Sequence, residues 1–440
     1  MVFKKIQEFI KKPFFQSVLI VISVSLFTKA ISFYKELEVA KNFGLSELLD
    51  TFLIAMLIPG FINNVFLGSY KGVFIPNYVL ELKQKGNIKS FQTTSFIITI
   101  AIALFFIIIT YFFNGIYLEN IFKGHDAEYY NLIRQQLYYL LPCILLWALS
   151  SQLTGLLNID NDFLYSSLAY ILLPLGTLFS IWFLKDQFPV TVLAIGILIG
   201  SFGVFIYLFL LSIYKKILFI GKLDFRSKNI RILIKQVPVK VSSSVLNSSN
   251  SVIDQYFSAQ LVVGSVAALN YGLKIPMLVI GLIGMSMGKV VLPYFSKYAD
   301  NPGLLYDKLK KILSFNFILC VVVAAFLYIF SEWITSLVFE RKEFTADDTD
   351  IVYRVQQMYI IQIPFYVSGL IMNRYLTSIN KNNILLLTSL ISLILNTVLN
   401  YLLISRFKVY GLALATSIVS LVNTIYLFIY IQRINSKSYV

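Results

Sequence analysis

The chain has 440 residues, 58% of them hydrophobic and 13% charged, with a mean hydropathy of +0.77 and a formal net charge of +15. Soluble domains carry about 25% charged residues, so a water-soluble globular protein is excluded. The basic surplus is no nucleic-acid signature either, because it collects in alternate short loops between apolar runs, the pattern of a multi-pass membrane protein.

Cys143 and Cys320 both lie in apolar runs, and the single histidine, His125, lies in a loop. Neither a disulfide framework nor a His/Cys metal site is implied. Lys4, Lys5, Lys11 and Lys12 precede the first apolar run, and no small-residue cleavage site follows, so the first helix is read as uncleaved.

About 20 apolar residues make one spanning helix. The runs place spans near 15–34, 48–67, 91–113, 132–157, 163–184, 190–214, 232–258, 265–290, 312–335, 352–378, 384–404 and 409–432, with the second expected to break at Pro59 and Gly60. Loop 2–3 holds Lys71, Lys83, Lys85 and Lys89; loop 6–7 holds Lys215, Lys216, Lys222, Arg226, Lys228, Arg231 and Lys235; loop 8–9 holds Lys297, Lys308, Lys310 and Lys311. These loops share a side with the N-terminus, which makes that side cytoplasmic and leaves both termini there. The short loop from Asn158 to Asp162 runs against the trend with two aspartates. No loop is long enough to form an external catalytic domain.

The chain reads as two copies of one unit. VFIPNY (73–78) answers VVLPYF (290–295), and Pro142 and Asn158 match Pro364 and Asn380 at an offset of 222 residues; Asp50 and Asn270 sit at a similar spacing. Six helices per repeat preserve orientation, so the repeats are parallel, as in transporters that rock two halves about a central site. The expected fold is an all-α membrane protein of about twelve helices in two parallel six-helix repeats around a central cavity. Its parts are an N-lobe at 1–214, a basic cytoplasmic linker at 215–231, read as a surface amphipathic helix, and a C-lobe at 232–440.

Charges inside the spans mark the expected site. Lys29 lies deep in helix 1, Lys35 and Glu36 close that helix, Lys240 and Asp254 lie in helix 7, and Lys274 lies in helix 8. Each costs at least about 2.5–3.5 kcal/mol near the bilayer centre, so together they call for a shared wet cavity. The run SSSVLNSSNSVID (242–254) either lines that cavity or bonds helix to helix. Lys29 and Lys274 have no acidic residue one turn away on their own helices, which favours an anionic ligand; lysine serves phosphate as a point charge.

The stretch FTKAISFYKELEVAKNFGLSELLDTFLIAMLIPGFINNVF (27–66) resembles the opening of the MurJ/MviN lipid II flippases. The features carrying the resemblance are Lys29, the Lys35–Glu36 pair, Phe43–Gly44, Asp50 with Phe52, and Pro59. It continues through FIP (74–76), LPCILLWALSSQLTGLLNIDNDF (141–163), GSVAALNYGLKIP (264–276), VLPYFSK (291–297) and FERKEFTADD (339–348), covering nearly the whole chain without the last helix pair of MurJ proteins.

The resemblance implies the multidrug/oligosaccharidyl-lipid/polysaccharide exporter fold and the movement of an undecaprenyl-diphosphate-linked saccharide from the inner to the outer leaflet of the bacterial plasma membrane. It implies Lys29 and Lys274 as diphosphate ligands, both Lys where the family favours Arg. Asn63–Asn64 stand where MurJ has an Arg pair, Leu273 and Met277 replace acidic neighbours, and Lys342 replaces a Gly. Lys35 would assist with the phosphates, and Asn63, Asn64, Asn247 and Asn250 would meet the sugars. Asp50, Asp254, Lys240 and Glu36 would serve as coupling or structural polar groups. No cofactor is expected beyond coupling to membrane potential, H+ or Na+, and the partners are the lipid-linked glycan, the bilayer and glycan-synthesis proteins.

Other classes remain. A flippase for O-antigen or capsule repeat units would share the scaffold, and a multidrug antiporter would want an acidic cavity. A membrane glycan polymerase would need a long external loop, and a non-transporting scaffold would need none of these features.

Overall fold

The computed structural model describes residues 13–436 apart from 299 and 382, and within that range the side chains at 13–22, 243, 247, 285–290 and 293 fall outside the description. The basic N-terminal tail and the Asn247 side chain therefore lie outside the described residues. The described elements are helices: α1 (Pro13–Phe43), α2 (Glu47–Ile62), α3 (Gly68–Lys83), α4 (Ile88–Ile121), α5 (Ala127–Ile159), α6 (Phe163–Leu168), α7 (Leu172–Phe183), α8 (Val192–Tyr214), α9 (Lys228–Ser258), α10 (Ser265–Ser296), α11 (Pro302–Ile329), α12 (Ser331–Phe339), α13 (Ala346–Ile360), α14 (Ile363–Ser378) and α15 (Asn383–Ser436). Among the described residues, eight helical segments are long and apolar enough to cross a membrane.

Polar residues between the apolar runs start the helices. Asn87, Asp126, Asp162 and Asn301 each accept a hydrogen bond from a backbone N–H of the first turn of α4, α5, α6 and α11, and Thr345 with Asp348 forms a capping box on α13. Asp162 also binds Lys215 at 2.6 Å, with Asp160 at 3.8 Å from the same ammonium. The hydrogen bond from Lys215 to Asp162 holds that ammonium above the ordinary lysine value. The two aspartates that ran against the loop-charge trend are thus a helix cap and a counter-ion.

Three expectations need correction. The second span does not break at Pro59 and Gly60: α2 passes through a π turn at Asn63–Leu67 and continues as α3 to Lys83. The proline's missing N–H is absorbed within a rod that stays helical. Lys71 is consequently a helix residue rather than a loop residue. Residues 217–224 of the linker are non-helical, because their backbone groups bond to side chains of α4 instead of to one another.

The chain packs as two units, Met1–Val39 with Thr51–Ser248, and Ala40–Asp50 with Ser249–Val440. In the first, Tyr70, Val73, Phe74 and Tyr78 of α3 pack on Phe91, Leu156, Ile230 and Leu233. Here α7 and α8 meet at bare backbone: a Cβ on Gly176 would come within 2.4 Å of the Gly200 nitrogen, and Gly196 stands one turn before it. A ladder of polar pairs joins α3 to the start of α9. Ser69 bonds Ser244 at 2.8 Å, Asn77 donates to Gln236 at 2.9 Å, and Asn229 donates to the Glu81 carboxylate. Ser244, from the serine-rich run, is therefore helix-to-helix glue.

In the second unit α10 packs against α13 and α14. Gly272 lies so close to α13 that a Cβ would be 2.6 Å from Val355 Cγ1. Tyr271 is buried against Phe339 and Phe344. The last run, α15, is two helices joined at Lys408 (φ 50°, ψ −132°).

Local features recur in both units. Buried Gln136 and Gln356 stand 220 residues apart, each bonded to a threonine, although Thr51 and Thr335 are not themselves at the repeat spacing. Asn161 (φ 62°) and Asn380 (φ 57°) end α5 and α14 in the left-handed conformation, each followed by an N–H bonded five residues back, Asp162 to Leu157 and Lys381 to Leu376. The counterpart of Asn380 is thus Asn161, not Asn158. The offset falls from 222 residues at the prolines to 219 here; Pro142 sits inside an unbroken α5, and Pro364 in the first turn of α14.

Candidate functional site

The expected site residues divide between the two units. In the first, Lys29 lies half-buried on α1, and one and a half turns later Lys35 pairs with Glu36 at 2.5 Å. Asn63 and Asn64 open the π turn, half-buried and exposed respectively. A π turn widens the helix and swings the following residues out of register, a device common at functional positions. Lys240 is exposed on α9, with its Cε 3.7 Å from where a Cβ on Gly72 would stand.

In the second unit Asp50 does a defined job. Its carboxylate accepts the Gly264 N–H and the Ala267 N–H, both at 2.7 Å. Ser265 is the first residue of α10, so these are the N-cap and N3 donors that a capping box would satisfy. One buried carboxylate from another helix replaces both arms of that box. Gly264 (φ +90°) must be glycine here, since a Cβ would lie 2.7 Å from the Leu45 carbonyl oxygen. Beside it, Gly44 (φ +47°) lies under the Glu343 carbonyl, and the Glu343 N–H donates to the Lys41 carbonyl at 3.2 Å. Lys274 follows on the same α10, half-buried next to the packed face formed by Tyr271 and Ile275.

Asp254 is held by amides and a hydroxyl. Asn396 and Asn400 donate to its Oδ1 at 2.9 and 2.7 Å, and Thr416 donates to its Oδ2 at 3.4 Å. The Oδ1 atoms of Asn396 and Asn400 are buried without a hydrogen-bond partner. The Asp254 carboxylate and the Thr416 hydroxyl are hard oxygen donors of the kind that hard cations use, and the two amides, which turn their N–H groups to the carboxylate, would add their oxygens on a half-turn of the side-chain amide. The three partners were missed from sequence. The available signal was two asparagines one turn apart, at 396 and 400, inside an apolar run of spanning length. Asn250, one turn before Asp254, is half-buried and its Oδ1 also lacks a partner.

Similarity to known proteins gives this arrangement a context. The family model described as "Lipid II flippase MurJ" matches residues 39–438. The chain belongs to the MurJ family. It is 28% identical over 435 residues to the lipid II flippase MurJ of Thermosipho africanus, covering 97% of this chain and 87% of that protein. With the probable lipid II flippase MurJ of Buchnera aphidicola from Schizaphis graminum it shares 26% over 415 residues, 92% of this chain and 80% of the relative.

A solved MurJ in an inward closed conformation superposes with a TM-score of 0.82 at 25% identity, over 94% of this chain and 87% of that one. An inward-facing multidrug transporter of the wider superfamily superposes at 0.76 with 15% identity, over 95% and 98%, and shows the fold alone. The protein is thus a multi-pass membrane protein of a transporter family, not an enzyme, and the family match does not favour a surface-polysaccharide flippase.

Proposed function

We propose that this protein moves lipid II, an undecaprenyl-diphosphate-linked saccharide, from the inner to the outer leaflet of the bacterial plasma membrane. The observation that carries this reading is a half-buried lysine in each unit, Lys29 and Lys274, within a chain that matches the MurJ model from 39 to 438. The diphosphate needs cations in a low-dielectric setting, where each charge contact is far stronger than in bulk water. Lys29 and Lys274 take the phosphates. Lys35, paired with its neighbour Glu36 on the same helix, assists at the phosphates. Asn63 and Asn64, projecting at the π turn, with Asn247 and Asn250, meet the sugars while the polyprenyl tail stays in lipid. The basic loops put both termini in the cytoplasm.

The return of the empty carrier draws on a cation. Asp254 with Asn396, Asn400 and Thr416 supplies the oxygen donors for Na+ or, by protonation, for H+, and membrane potential adds about 2.3 kcal/mol per charge per 100 mV. In proteoliposomes carrying lipid II, Lys29→Ala with Lys274→Ala is expected to cut translocation at least a hundredfold, and the two Lys→Arg changes to preserve it. Undiminished flipping by the double alanine variant sinks the diphosphate assignment.

A further inference from the structure

The linker is a built surface. Residues 217–224 lie along the first turns of α4 as a strap. The Gln92 amide bridges the Ile217 carbonyl and the Phe219 N–H, both at 2.9 Å; Thr93 accepts the Gly221 N–H at 2.8 Å; Ser90 donates to the Lys222 carbonyl at 2.7 Å; and Thr94 accepts the Asp224 N–H at 2.9 Å. Gly221 lets the strap touch bare backbone, since a Cβ there would sit 2.6 Å from the Lys89 carbonyl carbon. Ile217 and Leu218 turn inward onto the core. The strap's backbone is therefore spoken for, and what it offers outward is side chains.

Those side chains are of two kinds. Ile220 (91% exposed), Leu223 and Phe225 are large and apolar, on the surface of a segment outside the spanning helices, and Tyr214 (83%), the last residue of α8, precedes them. Lys216, Lys222 and Arg226 are exposed among them. The nearby carboxylates are occupied. Asp160 and Asp162 serve Lys215, and Asp224 Oδ1 accepts the N–H groups of Arg226 and Ser227. Aliphatic and aromatic side chains interleaved with cations match the boundary layer of a bilayer, where apolar groups enter the acyl region and cations meet phosphates.

We propose that the 214–226 strap is a binding surface for anionic phospholipid headgroups of the leaflet that the basic loops face. Lys216, Lys222 and Arg226 hold the phosphates, and Ile220, Leu223 and Phe225 sit among the upper acyl carbons. Its rigid backbone means that little ordering entropy opposes lipid binding.

The test uses the purified full-length protein exposed to an equimolar mixture of phosphatidylglycerol and phosphatidylcholine, with bound lipid counted by native mass spectrometry. The protein is expected to retain phosphatidylglycerol selectively. Each basic residue near an anionic surface is worth roughly fivefold in binding, so Lys216→Gln with Lys222→Gln and Arg226→Gln should weaken that retention on the order of a hundredfold. Lys216→Arg with Lys222→Arg should keep it. Ile220→Ser with Phe225→Ser should reduce retention of both lipids while leaving the selectivity. Equal phosphatidylglycerol retention by the triple variant overturns the proposal. So does displacement of the retained lipid by a polyprenyl-diphosphate sugar, which would assign the strap to the transported substrate. Lys29→Ala with Lys274→Ala should leave the selectivity intact, so the outcome is independent of the flippase reading.

Discussion

Asp50→Ala removes the acceptor for two buried N–H groups at the start of α10. Hydrogen bonds to a charged group contribute about 1.5–3 kcal/mol each, and the lost interaction with the helix dipole adds about 0.3–1 kcal/mol. Both donors are left in a place that is 2% exposed at Asp50, where water cannot replace the carboxylate. The expected loss is about 3–7 kcal/mol. Asp50→Asn keeps one acceptor oxygen and should lose about half of that. Cys143 and Cys320 are both buried, so a thiol-reactive fluorophore reports unfolding in detergent directly. At roughly 1–2 °C per kcal/mol for a chain of this size, the midpoint should fall by about 3–14 °C for the alanine variant and less for the asparagine variant. Hydrogen exchange should accelerate first at 264–268, the turn that loses its cap. An Asp50→Ala protein that melts within about 1 °C of the parent, with unchanged exchange in that turn, would falsify the capping role.

Gly44→Ala forces a Cβ to 2.2 Å from the Glu343 carbonyl oxygen at φ +47°, so a loss of about 2–5 kcal/mol is expected in the same melting assay. Lys342→Gly should act in the other direction. Lys342 sits at φ 52°, where a side chain costs about 1–2 kcal/mol, partly offset by the flexibility glycine adds to the unfolded chain, so a net gain of roughly 0.5 kcal/mol should raise the midpoint. Gln92→Ala should loosen the strap by about 2–3 kcal/mol, and limited tryptic cleavage after Lys216 and Lys222 should rise more than tenfold while the global melt moves little.

What the sequence made legible and what it concealed follow from how far each interaction reaches along the chain. Membrane class and helical character were readable because apolar run length is local, and the helix starts, which run length left several residues off, carry a local signal too in their capping residues. Asn87, Asp126, Asp162 and Asn301 act within three residues of themselves. The role of Asp50 was not readable, since its partners lie 214 and 217 residues away. Asp254 is bonded to groups 142, 146 and 162 residues away, and the linker's helical expectation failed because its competitors, Ser90, Gln92, Thr93 and Thr94, come about 130 residues earlier. The same contrast explains Lys342. The family pattern places glycine there, and the structure supplies the cause in a left-handed turn closed by the Arg341–Phe344 bridge. Lysine endures that conformation because Glu343 on the same loop and Asp348 in the first turn of α13 close over Gly44, so the clasp around residues 40–50 holds the turn in place of the glycine that would have made it easy.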